Sequence, residues 1–79
     1  MIEIYGKPQC PYCDRAKALC EQNDYEYIYN QLDVDFTREE LMEQFPTART
    51  FPQITVDGVN IGGYDQLLHW HRQRCGVKD

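Results

Sequence analysis

The sequence predicts an α/β domain: a four-stranded mixed sheet flanked by three helices, in the order β-α-β-α-β-β-α. Three observations carry that reading. A short alternating run, Ile2-Glu3-Ile4-Tyr5, passes through a Cys-x-x-Cys turn into a helical stripe and then into an aromatic second strand. Thr37 and Glu40 stand at the spacing of a capping box. Asp57-Gly58 joins two β-rich runs as a two-residue hairpin turn, and a last helical stripe follows.

The first run alternates apolar and charged residues, the period of a strand, and Gly6 and Pro8 break it. From Pro11 the period becomes helical, with Ala16, Leu19 and Cys20 on one stripe. Pro11 suits the first helical position, where its missing N–H has no partner to lose. Glu21 through Asp24 reads as a frayed end and a turn, and Tyr25-Glu26-Tyr27-Ile28-Tyr29 as the second strand. Strand, helix and strand make a βαβ unit, with a right-handed crossover expected. Val34-Asp35-Phe36 leads to the capping box and a helix with Leu41, Met42 and Phe45 inward, closed by Pro46. After the loop Thr47-Ala48-Arg49-Thr50, Phe51-Pro52 enters Gln53-Ile54-Thr55-Val56, which the hairpin returns as Val59-Asn60-Ile61. Gly62-Gly63 breaks that strand; Tyr64, Leu67, Leu68, His71 and Cys75 form the final stripe, ended by Gly76. No linker, repeat or low-complexity stretch divides the chain, so residues 1–79 read as one domain.

A chain of 79 residues builds a small core, near the lower limit for folding without staples. No apolar run reaches the length of a membrane span. The amino terminus enters a strand at once, without the basic segment and long apolar core of a signal peptide. Four cysteines in such a chain point to a reducing compartment, and a cytoplasmic location is expected. A formal charge of −5 and a pI near 4.8 argue against nucleic-acid binding. Between Glu21 and Glu43 the acids Glu21, Asp24, Glu26, Asp33, Asp35, Glu39, Glu40 and Glu43 face Arg38 alone. That stretch reads as a solvated face, or else as a surface for a basic partner. Lys7, Arg15, Lys17 and Arg49 gather instead toward the Cys-x-x-Cys end. His69 and His71 alternate on a helix and so point apart, which makes them poor metal partners.

The chemistry sits in the Cys-x-x-Cys turn. With Pro11 at the first helical position, Cys10 falls at the N-cap, its sulfur facing the N–H groups of Tyr12 and Cys13. Those donors and the helix dipole favour a thiolate over a thiol, so Cys10 is built to attack. Cys13, one turn further in, lies within disulfide reach, gains less from the helix end, and resolves. A zinc site or an inert staple are the other uses of such a pair. Zinc needs two further ligands, and no second Cys-x-x-Cys exists; Cys20 and Cys75 stand apart. A staple fits poorly with a short loop at a helix start. Cys20, on the inward stripe, reads as a small core residue.

Cys10-Pro11-Tyr12-Cys13, Thr50-Phe51-Pro52-Gln53 and Ile61-Gly62-Gly63-Tyr64-Asp65 resemble, in order and spacing, the three signature blocks of the dithiol glutaredoxins. The resemblance spans essentially the whole chain. It implies a minimal thioredoxin-like fold and glutathione-dependent reduction of protein disulfides and glutathionyl mixed disulfides by Cys10 and Cys13. Glutathione would be a co-substrate, with no tightly bound cofactor and no metal. The implied clients are disulfide-containing proteins, ribonucleotide reductase being one that small glutaredoxins serve. A monomer without nucleic-acid or membrane partners is expected.

The resemblance also implies a glutathione site. In similar proteins the proline of the second block is cis and faces the active cysteines. Pro52 would then hold the Phe51 backbone, beside Thr50, open to pair strand-like with the cysteinyl part of glutathione. The third block resembles the γ-glutamyl site, where Gly62 and Gly63 allow close approach and the helix beginning at Tyr64 offers its amides to a carboxylate. Asp65 takes the γ-glutamyl ammonium or caps the helix. Many relatives carry a second acid after it, where this chain has Gln66. Lys7 and Arg49 are implied for the glycyl carboxylate and for steadying the Cys10 thiolate, and Tyr12 for a lid over the sulfur. Two other functions stay open on the residues: a redoxin reduced by thioredoxin reductase, and an iron–sulfur carrier. Against the carrier, Pro11-Tyr12 restrict the helix start and Cys13 competes for Cys10.

Overall fold

The computed structural model describes residues 1–46, 48 and 50–74. Its elements are β1 (Ile2–Gly6), α1 (Pro11–Gln22), β2 (Tyr27–Gln31), α2 (Arg38–Gln44), β3 (Gln53–Val56), β4 (Val59–Gly62) and α3 (Tyr64–Arg74), in the expected order. The strands form one mixed sheet ordered β2-β1-β3-β4. β1 is paired on both sides, parallel to β2 from Ile2↔Tyr27 to Gly6↔Gln31 and antiparallel to β3 from Ile2↔Val56 to Tyr5↔Gln53.

The alternation of β1 divides the core between the two faces of the sheet. Ile2 and Ile4 join Ile54, Ala16, Cys20 and Leu67 beneath α1 and α3. Ile4, Ile54 and Leu67 are fully shut from solvent, each burial stabilising by about 1.5–3 kcal/mol. On the opposite face Tyr5 sets its ring edge-on to Phe36 and Phe45, at centroid distances of 5.3 and 5.4 Å, with Leu41 closing the cluster from α2.

The second strand lies two residues later than its composition indicates. Tyr25 is spent on ending α1: its N–H reaches back to the Cys20 carbonyl (2.9 Å), Asp24 N–H reaches Glu21 (3.4 Å), and Asp24 takes a left-handed φ of 57°. The Tyr25 ring then packs on Trp70 and His71 of α3, and pairing with β1 starts beyond it, extending to the polar Asn30 and Gln31. Gly6, expected as a strand breaker, is the last residue of β1. A Cβ there would overlap the Tyr29 hydroxyl of the neighbouring strand, so any other residue would require the Tyr29 ring to move. β4 likewise continues through Gly62.

Met42 is also a correction: it is 41 % exposed, whereas Leu41 and Phe45 are buried. α2 has seven residues and presents one narrow stripe, which the i, i+4 pair Leu41 and Phe45 fills. Its start is the capping box as expected: Thr37 Oγ1 accepts from Glu40 N–H (3.1 Å), and Glu40 Oε1 accepts from Thr37 N–H (2.8 Å). The hairpin turn has the left-handed pair its sequence demands, φ 52° at Asp57 and 84° at Gly58. All eight acids from Glu21 to Glu43 are exposed. Among the described residues no helix is long and apolar enough to cross a membrane. The expected inward place of Cys75 and the stop at Gly76 lie outside the described residues, as do Thr47 and Arg49.

Thr37→Ala removes the Oγ1 that accepts from Glu40 N–H, while the main-chain N–H of residue 37 can still donate to Glu40 Oε1. We expect a loss of about 1 kcal/mol, read as a lower urea midpoint with an unchanged slope and a melting temperature lower by about 4–8 °C.

Candidate active site

Beyond Gly6 the chain takes a left-handed turn at Gln9 (φ 57°) and reaches Cys10 in extended conformation, φ −122° and ψ 100°. Cys10 is the N-cap of α1, and its Sγ accepts from Cys13 N–H at 3.2 Å. The two donors expected from the sequence resolve to this one at the third helical position. Ionising an ordinary thiol at neutral pH costs about 2 kcal/mol. A hydrogen bond to a charged acceptor returns about 1.5–3 kcal/mol and the helix dipole about 0.3–1 kcal/mol. These two contributions offset the ionisation cost and favour the thiolate of reduced Cys10, whereas its burial opposes it.

Cys10 and Cys13 are joined as a disulfide across the first turn of α1, with Cα atoms 5.2 Å apart. The two sulfurs are not equivalent. Cys10 retains 6 % exposure and Cys13 none. A thiol arriving from solvent therefore meets Cys10, while Cys13 can reach nothing but its own partner.

The register Tyr5↔Gln53 brings the loop after β1 and the loop before β3 to the same end of the sheet. There the Phe51–Pro52 bond is cis, as the resemblance implied. Lys7 Nζ lies over the Phe51 ring, 5.5 Å from its centroid, and ties the two loops together. A groove of about 340 Å³ opens between Tyr12, the segment Thr50, Phe51 and Pro52, and the start of α3 at Gly63, Tyr64, Asp65 and Gln66. Tyr12, 52 % exposed, leans toward Tyr64 across it at a ring distance of 6.0 Å. Arg15 stacks over the outer side of Tyr12 at 5.2 Å.

Eight of the nine residues proposed for glutathione are thus placed in or beside this groove, Lys7 through its contact with Phe51. The ninth, Arg49, lies outside the described residues. The choice left open for Asp65 falls against capping. Gln66 closes the start of α3, its Oε1 accepting from Gly63 N–H at 2.9 Å, and the exposed Asp65 carboxylate bonds to no described residue. Of the two glycines, Gly62 is required by the fold, since its φ is 114° and a Cβ would stand 3.0 Å from the Gln66 side chain. A Cβ at Gly63 would meet Pro52 O at 3.4 Å, an ordinary contact.

Sequence reasoning passed over Gln53. It is 7 % exposed, and its Nε2 donates to the Thr50 carbonyl at 2.7 Å, bracing the wall of the groove. A glutamine alternating with apolar residues reads as the wet side of a strand, and nothing local marks it as a brace. Cys20 is the free cysteine among the described residues; burial, with a smaller push from the Glu21 charge, raises its thiol to about 11. Among the described residues no cluster of three metal-ligating side chains occurs.

The strand order, and a disulfide closed over a helix start beside a cis-proline loop, define a thioredoxin-like dithiol oxidoreductase. Comparison with known proteins narrows the class. The glutaredoxin family model matches residues 2–61. Glutaredoxin 1 of Escherichia coli K12 is 36 % identical over 77 residues, covering 89 % of this chain and 91 % of the relative. Glutaredoxin 3 of the same organism is 39 % identical over 66 residues, covering 84 % and 80 %. The structure of reduced Escherichia coli glutaredoxin superposes with a TM-score of 0.80 at 34 % identity, over 96 % of this chain and 98 % of that one. A buckwheat glutaredoxin–glutathione complex gives 0.77 at 28 % identity, over 92 % and 69 %. The chain belongs to the glutaredoxin family, with Cys10 and Cys13 as its CPYC-type redox pair.

The raised Cys20 thiol sets an alkaline limit on stability. Between pH 9 and about 11 the folded thiol keeps a proton that the unfolded chain has lost. Unfolding then releases a proton, so stability is intact below this window and falls as pH rises through it. We expect the urea midpoint of the oxidised protein to fall less steeply across that window in Cys20→Ala than in the parent. At neutral pH iodoacetamide should modify Cys10 of the reduced protein rapidly and Cys20 only after unfolding, as peptide mapping would read.

Proposed function

We propose that this protein is a glutathione-dependent thiol–disulfide oxidoreductase that reduces glutathionyl mixed disulfides and protein disulfides. One observation carries the reading: a helix-capping cysteine that keeps the small solvent exposure its disulfide partner lacks, beside a groove sized for a small peptide. The Cys10 thiolate attacks the glutathione sulfur of a mixed disulfide. A Cys10–glutathione disulfide forms, and the client leaves as a thiolate that takes a proton from water. A second glutathione thiolate attacks the glutathionyl sulfur, releasing oxidised glutathione and the Cys10 thiolate. With a protein disulfide, Cys10 attacks one client sulfur and Cys13, losing its proton, attacks Cys10. The client leaves as a dithiol, the Cys10–Cys13 disulfide closes, and two glutathiones reopen it.

The groove supports the binding half of this reading. Thr50 and Phe51 present backbone to the cysteinyl part, where main-chain pairing accepts varied partners. Lys7 and Arg49 supply cations for the glycyl carboxylate. The start of α3 and Asp65 receive the γ-glutamyl end, and Tyr12 covers the sulfur. The setting is a reducing compartment such as the cytoplasm, and the protein acts as a monomeric single domain on disulfide-bearing clients.

Cys10→Ser should abolish turnover of a glutathionylated peptide and of a protein disulfide alike. Cys13→Ser should keep the first and lose the second, both followed through NADPH consumption with glutathione and glutathione reductase. Turnover of the glutathionylated peptide by Cys10→Ser, or a parent protein that works with thioredoxin reductase but not with glutathione, would overturn the assignment.

A further inference from the structure

A second groove, of about 570 Å³, lies outside the redox site, between α3 and the outer strand β4. Ile61 of β4 and the half-buried Trp70 supply its apolar surface, and the exposed Asp65, Gln66, His69 and Gln73 line the rest. Gln66, Trp70 and Gln73 follow at the i, i+4, i+7 spacing of one helix face. Tyr25 holds the Trp70 indole, ring centroids 5.3 Å apart, so the apolar surface is in place before anything binds. The neighbouring amides are engaged, Gln66 Oε1 with Gly63 N–H at 2.9 Å and Gln73 with His69 at 3.0 Å. What this groove presents is an uncovered apolar slot.

β4 ends the sheet, and an end strand can take on a further strand. This one is guarded against that. Its register passes from Thr55↔Asn60 to Ile54↔Gly62, leaving Ile61 out of the pairing, and Gly62 N–H donates to Asn60 Oδ1 at 2.8 Å. A second copy fits no better, since two apolar side chains fall far short of the roughly 800 Å² per partner that a standard interface buries. A single apolar side chain does fit. Asp65 and Gln66 line both this groove and the one beside Cys10, so a chain leaving the redox groove over them arrives at Ile61 and Trp70. We propose that the groove docks client polypeptides in the dithiol reaction, by taking one apolar side chain on the amino-terminal side of the reactive client cysteine. The direction rests on the glutathione reading: the γ-glutamyl unit, which points to Asp65, precedes the cysteine of glutathione, and the residues before a client cysteine take the same path. That unit is as long as about two extended residues, and the turn of α3 from Asp65 to His69 adds about 6 Å, or two more. The anchor therefore stands about four residues before the cysteine. Glutathione ends short of it. The groove adds nothing to deglutathionylation, where Cys10 attacks the glutathione sulfur and the client departs.

The test uses tryptophan-free, single-cysteine peptides activated as mixed disulfides with thionitrobenzoate. The Cys10 thiolate bonds to the peptide sulfur and thionitrobenzoate leaves as a coloured thiolate, so its release times the attack. With the pre-reduced protein, a Leu four residues before the cysteine should raise the second-order rate constant about tenfold over Ser, the gain from burying most of one Leu side chain. A Leu four residues after the cysteine should give no gain, and glutathionyl disulfides of the same peptides should react alike. Ile61→Thr should bring the Leu-to-Ser ratio toward one, a ratio that does not depend on the folded fraction of the variant. Trp70 is the one tryptophan of the chain, so its emission should shift to the blue in the Cys13→Ser adduct of the Leu peptide and not in that of the Ser peptide. Equal rates for the Leu and Ser peptides, or equal gains from Leu on either side of the cysteine, overturn the proposal with the glutathione reading intact. So does a Trp70 shift produced by free glutathione or by raising the protein concentration alone, which puts glutathione or a second copy in the groove. A parent protein that reduces none of the glutathionylated peptides overturns the glutathione reading, and with it the direction assigned to the anchor.

Discussion

The pairing of β1 on both of its edges is the constraint on which the rest depends. A strand hydrogen-bonded to β2 on one side and β3 on the other cannot shift register without turning Ile2 and Ile4 out of one core and Tyr5 out of the other. That fixed register aligns the end of β1 with the start of β3, so the loop leading to Cys10 and the Thr50-Phe51-Pro52 wall emerge at one end of the sheet. The hairpin then returns the chain as β4, and α3 starts from the third side of the same opening. The site is assembled from three loops far apart in sequence because one short strand sits between two others.

Within the site, reactivity and selectivity come from different parts of the fold. The start of α1 acts on the sulfur through one amide at 3.2 Å and the dipole behind it, and depends on nothing across the groove. Selection of what reaches the sulfur belongs to the walls, which Gln53 and Gln66 brace through single hydrogen bonds to backbone. The two amides are thus similar devices, each fixing a loop that carries no regular structure of its own.

Charge is distributed to the same end. The acids of the Glu21–Glu43 stretch stand in solvent, and the ion pair among the described residues joins the Met1 amino group to Asp57 at the hairpin. Lys7 and Arg15 lie over the rings of Phe51 and Tyr12, not against carboxylates. A cation held over an exposed ring gains only about 0.5–1 kcal/mol, so its charge stays available to an incoming anion.

Much of this protein is legible in its sequence because the signals act within one turn of chain. The capping box at Thr37, the Asp57-Gly58 turn, Cys10 at the N-cap before Pro11 and the apolar periods of β1, α1 and α3 are interactions between residues a few positions apart. What only the tertiary structure decided involves partners that local spacing cannot name. Tyr25 reads as strand, but its N–H is claimed by Cys20 and its ring by α3. Gly6 reads as a breaker until Tyr29 is placed beside it. The sequence separates Cys10 from Cys13 by place on the helix, and the fold adds that the second is fully shut from solvent. Capping by Gln66 instead of Asp65, and the brace from Gln53, depend on backbone turns whose angles are set by the packing of β3, β4 and α3. Sequence patterns specify which residues want a buried face or a helix end, whereas contacts across the sheet decide which of them receive it.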